Sequence, residues 1–252
     1  MTIDLSDRIV LVTGASRGIG EALARRLAAS GATVAVHYHR NRERAELLAA
    51  EINNDSAAFG GDLASVTETT ALFEGVVERY GRIDVLVNNA GVSHFAPLEL
   101  STADWAEAWH HTMAVNLRAA EQLTRLTIPG FRRRGAGRII YIASRAAFRG
   151  DTPDYMAYAA SKGGMVALAR SVARGFGKEG IVAFVVAPGF TRTDMAQEFI
   201  DEYGEEYAVR ELALDRMTEP ADIGPLVTLL ASGLADHATG TSIDVNAGSY
   251  VR

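Results

Sequence analysis

The stretch TGASRGIG at residues 13–20 continues directly from the apolar run RIVLVT at residues 8–13. Its three glycines, Gly14, Gly18 and Gly20, stand where a buried strand would pass into a helix. Such a turn places backbone N–H groups and the positive end of a helix beside a bound phosphate, and side chains would block the approach. The stretch predicts a dinucleotide-binding turn, the alternative being a crowded turn that uses its glycines for packing alone.

Outside this stretch, apolar runs alternate with amphipathic segments along the chain. Apolar runs are typical of parallel strands that helices cover on both faces. The repetition favours an α/β fold, a doubly wound sheet of Rossmann type with seven parallel strands. The predicted strands are residues 8–13, 33–38, 57–61, 84–90, 138–144, 181–187 and 241–246. The predicted helices are residues 18–30, 41–54, 65–80, 101–134, 156–179 and 219–232.

The organisation of the chain indicates one domain, residues 1–252, because no linker rich in proline, glycine or serine divides it and no repeat is found. Residues 190–217 break the alternation with acidic, amphipathic sequence between the sixth strand and the last helix. A segment of this kind is typical of a lid over an active site.

Composition excludes several classes of protein. The chain has no cysteine, which excludes disulfides, thiol catalysis and Cys-ligated zinc and fits a cytoplasmic protein. Its formal net charge of -6 argues against nucleic acid or an anionic membrane as a partner. We expect no signal peptide and no membrane span. His110 and His111 are adjacent and would point about 100° apart on a helix, which argues against a metal site.

Tyr158 and Lys162 are four residues apart in a predicted helix, so their side chains lie on one face. An ammonium about 5 Å away would stabilise a phenolate by roughly 3 kcal/mol and lower its pKa by about two units. Tyr158 could then exchange a proton with an alcohol or ketone near neutral pH. Ser144 ends the fifth predicted strand, where open α/β sheets place ligands, and its hydroxyl could hydrogen-bond the reacting oxygen.

The pattern T-G-x-x-x-G-x-G resembles that of the short-chain dehydrogenase/reductase family, and further motifs follow in the family's order along essentially the whole chain. These motifs are NNAG at residues 88–91, Asn116, Ser144, YAASK at residues 158–162 and PGFTRT at residues 188–193. The chain looks most like the 3-oxoacyl-acyl carrier protein reductases of that family.

The resemblance implies a role for each catalytic candidate. Tyr158 would be the general acid and base, and Ser144 would bind the reacting oxygen. Lys162 would also hold the nicotinamide ribose, and Asn116 would order a water of a proton relay. The interval from Ser144 to Tyr158 is one residue longer than the family usually shows, so we expect a reshaped loop between them. The resemblance also implies a homotetramer or homodimer.

The second predicted strand ends in HYHR, residues 37–40, and lacks the carboxylate with which NAD-preferring sites bind the ribose 2′-hydroxyl. Arg17, Arg40 and Arg42 could pair with a 2′-phosphate. We therefore predict NADP(H) as the preferred cofactor and keep NAD(H) open, because Arg40 and Arg42 could instead decorate a solvated helix. With the resemblance, the predicted cofactor-binding residues are Gly14, Ser16, Arg17, Gly18, Ile19, Gly20, Tyr38, His39, Arg40, Asp62, Leu63, Asn89, Ala90, Gly91, Tyr158, Lys162, Pro188, Gly189, Thr191 and Thr193.

The predicted reaction is hydride transfer between nicotinamide and a carbonyl or secondary alcohol carbon, with a 3-oxoacyl thioester as the first candidate substrate. The alternatives are a sugar or polyol dehydrogenase of the same family and a non-catalytic dinucleotide-binding regulatory protein. Arg145 and Arg149 favour an anionic or carrier-bound substrate unless they only form surface ion pairs. His94 is either a substrate contact or a solvated loop residue. The predicted substrate pocket comprises Arg145, Phe148, Thr152, Tyr155 and residues 190–217.

Overall fold

The computed structural model describes residues 2–204 and 209–251. Its strands are β1 (Ile9–Val12), β2 (Thr33–Tyr38), β3 (Ala57–Gly60), β4 (Val85–Asn88), β5 (Gly137–Ile142), β6 (Ile181–Pro188) and β7 (Ser242–Val245). They form one sheet in the order β3-β2-β1-β4-β5-β6-β7, and every neighbouring pair is parallel. The predicted seven-stranded doubly wound sheet is confirmed.

The helices lie between the strands along the chain, as their periodicity predicts. They are α1 (Gly18–Ala29), α2 (Arg42–Ile52), α3 (Val66–Tyr80), α4 (Thr102–Met113), α5 (Ala119–Arg134), α6 (Ala146–Arg149), α7 (Met156–Phe176), α8 (Asp194–Tyr203) and α9 (Pro220–Ser232). The sequence did not predict α6 and α8. Both are short. Helix α6 follows the carboxyl end of β5 and α8 follows that of β6, on the side of the sheet where the cavity described below lies.

Successive residues of β1 enter two different hydrophobic cores. Val10 and Val12 pack in the core that contains α1, α2 and α9, whereas Leu11 packs in the core that contains α3, α5 and α7. All three side chains are fully buried. Because side chains alternate across a strand, two covered faces require every position to be apolar, which explains the unbroken apolar runs of the sequence.

The strand order changes direction at β1, whose neighbours are β2 on one side and β4 on the other. The connections that leave the carboxyl ends of β1 and β4 diverge there, and a crevice opens between them. The turn at residues 13–17 follows β1, and NNAG at residues 88–91 includes the end of β4. The two motifs therefore meet at the switch point of the sheet.

The predicted single helix at residues 101–134 is wrong in one respect. A π-helical segment, Ala114–Arg118, separates α4 from α5. The apolar pattern runs through this segment, so periodicity gave no sign of the wider turn. Single π-turns within helices are frequent at functional sites, and this one contains Asn116.

Residues 190–217 contain α8. A single β-bridge between Thr191 and Thr218 joins the start of this segment to the residue that follows it. Part of this predicted lid, residues 205–208, lies outside the described residues. Over residues 2–204 and 209–251, no helix is both long enough and apolar enough to cross a membrane. The same ranges contain no group of three His, Asp or Glu side chains arranged to hold a metal ion.

Candidate active site

A cavity of about 570 Å³ lies at the carboxyl ends of the central strands. Its volume is within the range of roughly 300–1,000 Å³ typical of small-molecule sites. The glycine turn lines one part of it, and Tyr158 and Lys162 line another. The predicted site residues that it brings together are Gly14, Ser16, Arg17, Gly18, Ile19, Gly20, His39, Arg40, Asp62, Leu63, Asn89, Ala90, Gly91, Tyr158, Lys162 and Thr193.

The glycine turn has the conformation that its sequence predicts. Gly14 and Gly18 have φ values of +64° and +56°, a region that favours glycine. A Cβ on Gly20 would lie 2.2 Å from the Gly14 carbonyl oxygen and 2.5 Å from Asn89 Nδ2. Arg17 directs its guanidinium to Asp194 (3.2 Å), which leaves the first backbone N–H groups of α1 available to an anion.

Two side chains that the sequence analysis missed fix this turn. The buried imidazole of His37 accepts a hydrogen bond from Gly14 N–H at Nδ1 (2.9 Å) and donates one from Nε2 to the Gly61 carbonyl (3.0 Å). Burial lowers the pKa of His37 to about 4, so the ring is neutral near pH 7. The Thr13 hydroxyl oxygen accepts hydrogen bonds from the backbone N–H groups of Asn89 (2.9 Å) and Ala90 (3.0 Å).

These contacts tie the ends of β1, β2 and β4 together. The Asn89 side chain adds a hydrogen bond from Nδ2 to the Thr13 carbonyl (2.8 Å). A histidine within an otherwise apolar strand is the one sequence signal that could have identified His37.

Tyr38, a predicted cofactor contact, does not line the cavity. Its hydroxyl end lies 3.0 Å from the position of a Cβ on Gly60, and its ring packs on the core beneath α1 and α2. The reason is the alternation of side chains along β2, which sends His37 and His39 to the cavity side and Tyr38 to the other face.

The PGFTRT motif is only partly at the cavity. Pro188, Gly189 and Thr191 do not line it, and Gly189 N–H instead donates to the Val245 carbonyl (3.0 Å). Thr193 does line it, with its methyl carbon 3.4 Å from the position of a Cβ on Gly18. The end of the motif therefore packs against the glycine turn.

The three central catalytic candidates come from β5 and α7. Ser144 follows β5 and is buried, and its hydroxyl oxygen accepts a hydrogen bond from the backbone N–H of Ala146 (3.1 Å). Lys162 is one turn beyond Tyr158, and its ammonium lies 5.7 Å from the centre of the phenol ring. That ammonium donates a hydrogen bond to the Ile142 carbonyl (2.9 Å).

The expected fall in the pKa of Tyr158 is wrong for this structure. Burial raises the pKa of the phenol, the hydrogen bond with Ser144 opposes that rise, and the negative charge of Asp151 adds to it. The Lys162 ammonium lies 5.7 Å from the centre of the phenol ring and does not offset this rise in the pKa. Burial also lowers the pKa of Lys162 to about 8.

Asn116 and Ser144 do not line the cavity themselves. The Asn116 side chain accepts a hydrogen bond from Val92 N–H (2.8 Å) and donates to the Val92 carbonyl (2.9 Å) and the Ser161 hydroxyl (2.9 Å). It therefore positions the loop after NNAG against α7. Its predicted role in a water relay stays a prediction.

The cavity end beside β2 is rich in cations. Arg40 and Arg44 line it together with Arg17, whereas Arg42 does not. Arg42 lies along the surface of α2 and pairs with Glu46 one turn further on (2.7 Å). Arg44 therefore takes the place in which the sequence analysis expected Arg42.

The opposite end carries two histidines. His94 and His111 both line the cavity, with Nε2 and Nδ1 2.8 Å apart. Burial, and to a smaller extent the neighbouring His111, lower the pKa of His94. His94 therefore lies in the cavity wall, and whether it contacts substrate stays a prediction. Arg145 and Arg149 both approach Glu211.

Comparison with known proteins gives matches over almost the whole chain. The 3-oxoacyl-[acyl-carrier-protein] reductase of Staphylococcus aureus (strain Mu50 / ATCC 700699) is 36% identical over 244 residues, which cover 96% of this chain and 97% of that protein. Nodulation protein G of Rhizobium sp. (strain N33) is 38% identical over 247 residues, which cover 97% of this chain and 98% of that protein.

Solved structures agree in fold. A putative gluconate dehydrogenase from Agrobacterium tumefaciens superposes with a TM-score of 0.91 at 30% identity, over 100% of both chains. The 3-ketoacyl-(acyl-carrier-protein) reductase from Brucella melitensis, complexed with NADH, superposes with a TM-score of 0.90 at 28% identity, over 98% of this chain and 100% of that one. The sequence profile described as short chain dehydrogenase matches residues 8–204. The chain belongs to the short chain dehydrogenase family and is an oxidoreductase.

Proposed function

We propose that the protein is an NADP(H)-dependent reductase that transfers hydride between the nicotinamide and a carbonyl carbon, with 3-oxoacyl thioesters as its substrate class. One observation carries the proposal. The glycine turn, which is suited to a pyrophosphate, and the Tyr158 and Lys162 side chains line the same cavity. Cofactor and proton donor would therefore meet in one space.

Side chains at Gly14 and Gly20 would clash with neighbouring protein atoms, so the glycines keep the turn tight. The turn lines the cavity, and the backbone N–H groups at the start of α1 would hold the pyrophosphate of a dinucleotide. When bound, the nicotinamide supplies or accepts the hydride. Lys162 and Tyr158 would hold its ribose. Gly91 lies against Lys162, since a Cβ on Gly91 would come within 3.2 Å of the Lys162 ammonium.

Proton transfer in this site would follow from the pKa of the phenol. Because burial raises the pKa of Tyr158, the phenol keeps its proton near pH 7 and can donate it to a carbonyl oxygen as that oxygen gains negative charge. The Ser144 hydroxyl would donate a second hydrogen bond to the same oxygen. The Lys162 ammonium would stabilise the phenolate that remains. The protonated phenol is the form that carbonyl reduction requires.

The preference for NADP(H) is supported by the cavity end beside β2. Arg17, Arg40 and Arg44 line it, and a 2′-phosphate pairs with guanidinium groups through charge-assisted hydrogen bonds. Among the lining residues that follow β2 and β3, Asp62 is a carboxylate and lies 3.9 Å from His39. The alternative is NAD(H), the cofactor bound in the Brucella melitensis relative.

The cofactor preference is tested with a matched pair of arginine variants. Arg40→Ala should raise the dissociation constant for NADPH about tenfold or more and leave that for NADH nearly unchanged, because only NADPH carries the 2′-phosphate. Arg42→Ala is the control, since Arg42 is exposed and pairs with Glu46 outside the cavity. Equal binding of NADPH and NADH by the wild-type protein would contradict the preference.

The reaction is tested by NADPH oxidation with a 3-oxobutanoyl thioester and a panel of neutral ketones. Tyr158→Phe should lower kcat by a factor of about 10² or more while leaving NADPH binding intact, because the variant lacks the proton donor. NADPH binding without turnover on any ketone would favour the non-catalytic alternative. The structural relative described as a putative gluconate dehydrogenase makes sugar acids and polyols the second substrate class for the panel.

Residues 190–217 are proposed as a lid and the whole chain as one domain. Support for the lid is that Asp194 lines the cavity and pairs with Arg17, while Glu211 pairs with Arg149 at the end of α6. A homotetramer or homodimer is the proposed assembly, which light scattering would test.

A further inference from the structure

Two arginines of the α6 region approach one carboxylate. Arg149 Nη1 donates a hydrogen bond to Glu211 Oε2 (3.0 Å), and Arg145 Nη1 lies 3.6 Å from the same oxygen. The exposed fractions of the side chains are 15% for Arg145, 34% for Arg149 and 59% for Glu211. The two arginine side chains are therefore more buried than the glutamate, whose carboxylate is in contact with solvent.

The Arg145 guanidinium has a hydrogen-bond donor without an acceptor among the described residues. Its Nη1 atom is buried and has no hydrogen-bond partner within the described ranges, because 3.6 Å is too long for a hydrogen bond. Burial lowers the pKa of Arg145, as does the charge of Arg149, while Glu211 and Asp151 raise it. A buried guanidinium N–H without a partner loses solvation free energy that a closer anion would restore.

The cluster is connected to the proposed catalytic residues through the chain, although Arg145, Arg149 and Glu211 do not themselves line the cavity. Arg145 directly follows Ser144 and precedes the first residue of α6. The charge of Asp151 acts on both Arg145 and Tyr158, so the two side chains share one electrostatic environment. The backbone N–H of Arg145 also donates to the Pro188 carbonyl (2.9 Å). An anionic group near the reacting carbonyl would thus be within the field of both arginines.

We propose that Arg145 and Arg149 form a binding site for an anionic group of the substrate, and that the Glu211 carboxylate occupies this site when substrate is absent. Two planar guanidinium groups suit a carboxylate or a phosphate, either of which can accept paired hydrogen bonds. The anion could be the carboxylate of a free oxo acid or the phosphate of a pantetheine arm. The proposal rests on the proposed function, because it assigns part of that substrate.

The test uses pairs of substrates that differ only in one charge. 4-Oxopentanoate is compared with its methyl ester, and the 3-oxobutanoyl thioester of 4′-phosphopantetheine with that of pantetheine, all with NADPH. We expect wild-type kcat/KM to favour the anionic member of at least one pair. Arg145→Gln and Arg149→Gln should each lower that preference roughly ten- to a hundredfold, through KM, as the loss of a charge-assisted hydrogen bond predicts. The pair that responds identifies the source of the anion.

Glu211→Gln gives an effect of opposite sign and leaves both arginines in place. It should lower KM for the anionic member several-fold, because the substrate no longer displaces a carboxylate. Arg132→Gln is the matched control, since Arg132 forms an ion pair with Glu179 at the end of α5 and should leave the preference unchanged. An anionic preference that is the same in Arg145→Gln, Arg149→Gln and wild type would overturn the site, as would an increased KM in Glu211→Gln.

A further measurement distinguishes failure of the proposed function from failure of the anion site. If the wild-type protein turns over neither member of any pair, the proposed function fails, and the anion site is then tested by thermal unfolding with 4-oxopentanoate alone. Stabilisation of the wild-type protein but not of Arg145→Gln would support the site, and equal behaviour of the two proteins would overturn it.

Discussion

The ammonium of Lys162 lies in the cavity wall with 3% of the residue exposed, and it donates to the Ile142 carbonyl. Burial lowers its pKa from 10.5 to about 8, so near pH 7 the folded protein holds a buried cation that the unfolded chain would solvate. Linkage then requires the free energy of unfolding to rise as pH increases from about 8 to 10.5, where only the unfolded state stays charged.

Lys162→Met should therefore raise the free energy of unfolding at pH 7, by at most about 3 kcal/mol, while abolishing ketone reduction. The gain is the removal of a buried charge, reduced by the hydrogen bond lost at Ile142. Denaturant unfolding at pH 7 and pH 10 measures it, and the advantage of the variant should shrink at the higher pH. A variant less stable than wild type at pH 7 would show that the hydrogen bond outweighs the desolvation of the charge.

His37 should make the protein sensitive to acid. Burial lowers its pKa from 6.5 to about 4. Between pH 4 and pH 6.5 the unfolded state therefore binds a proton that the folded state does not bind. The contribution of His37 to stability is present above pH 6.5 and is lost as pH falls to about 4, an amount of about 3 kcal/mol. Denaturant unfolding of wild type and His37→Asn over this range should show their difference in stability shrinking by that amount, and a constant difference would contradict the assignment.

At the scale of single residues, the sequence identified the proposed catalytic side chains more readily than the side chains that position the turns around them. Ser144, Tyr158 and Lys162 come together as expected because strand ends and helical spacing determine where they lie. The bridging role of His37 depends on two backbone groups from different turns, and no local pattern identifies such partners. The hydrogen bond from Lys162 to the Ile142 carbonyl likewise cannot be predicted from the sequence, because it joins a helix to a strand 20 residues away.

At the scale of secondary structure, the start of α1 depends on Gly20, which packs against the turn after β1 and the loop after β4. A Cβ on Gly20 would collide with the Gly14 carbonyl oxygen and the Asn89 side chain, whereas a Cβ on Gly175, within α7, meets nothing within 4 Å. Gly20→Ala should therefore lose NADPH binding and destabilise the protein by several kcal/mol. Gly175→Ala should leave binding intact and add up to about 1 kcal/mol of stability, because alanine favours helix. Isothermal calorimetry and denaturant unfolding of both variants check this, and equal effects would contradict the close packing at Gly20.

The elements that the sequence predicted well are those that bury a continuous apolar face, namely the seven strands and the long helices. Their ends were less accurate where backbone conformation decides them. Helix α2 ends at Ile52 because Asn53, Asn54 and Asp55 have positive φ values, which asparagine and aspartate tolerate. The π-helical turn at residues 114–118 was not predicted because the segment contains no proline or glycine that would mark a change in the helix.

At the scale of the whole molecule, both cores share one sheet, and the cavity draws its lining from residues as distant as Gly14 and Asp194. A ligand in that cavity contacts elements from both halves of the chain. If residues 1–252 form one domain as proposed, heat should unfold them in a single cooperative transition, and cofactor should shift that transition as a whole.

NADPH at about one hundred times its dissociation constant should stabilise the protein by about 2.7 kcal/mol, which for a chain of this size corresponds to an increase in Tm of about 5–10 °C. Scanning calorimetry with and without NADPH measures the shift, and Arg40→Ala at the same NADPH concentration should show a smaller one because fewer molecules are bound. Two transitions, of which NADPH moves only the first, would contradict the single domain while leaving the cofactor site intact. One transition that NADPH fails to move would contradict the cofactor site, because any ligand that binds only the folded state must raise Tm by mass action.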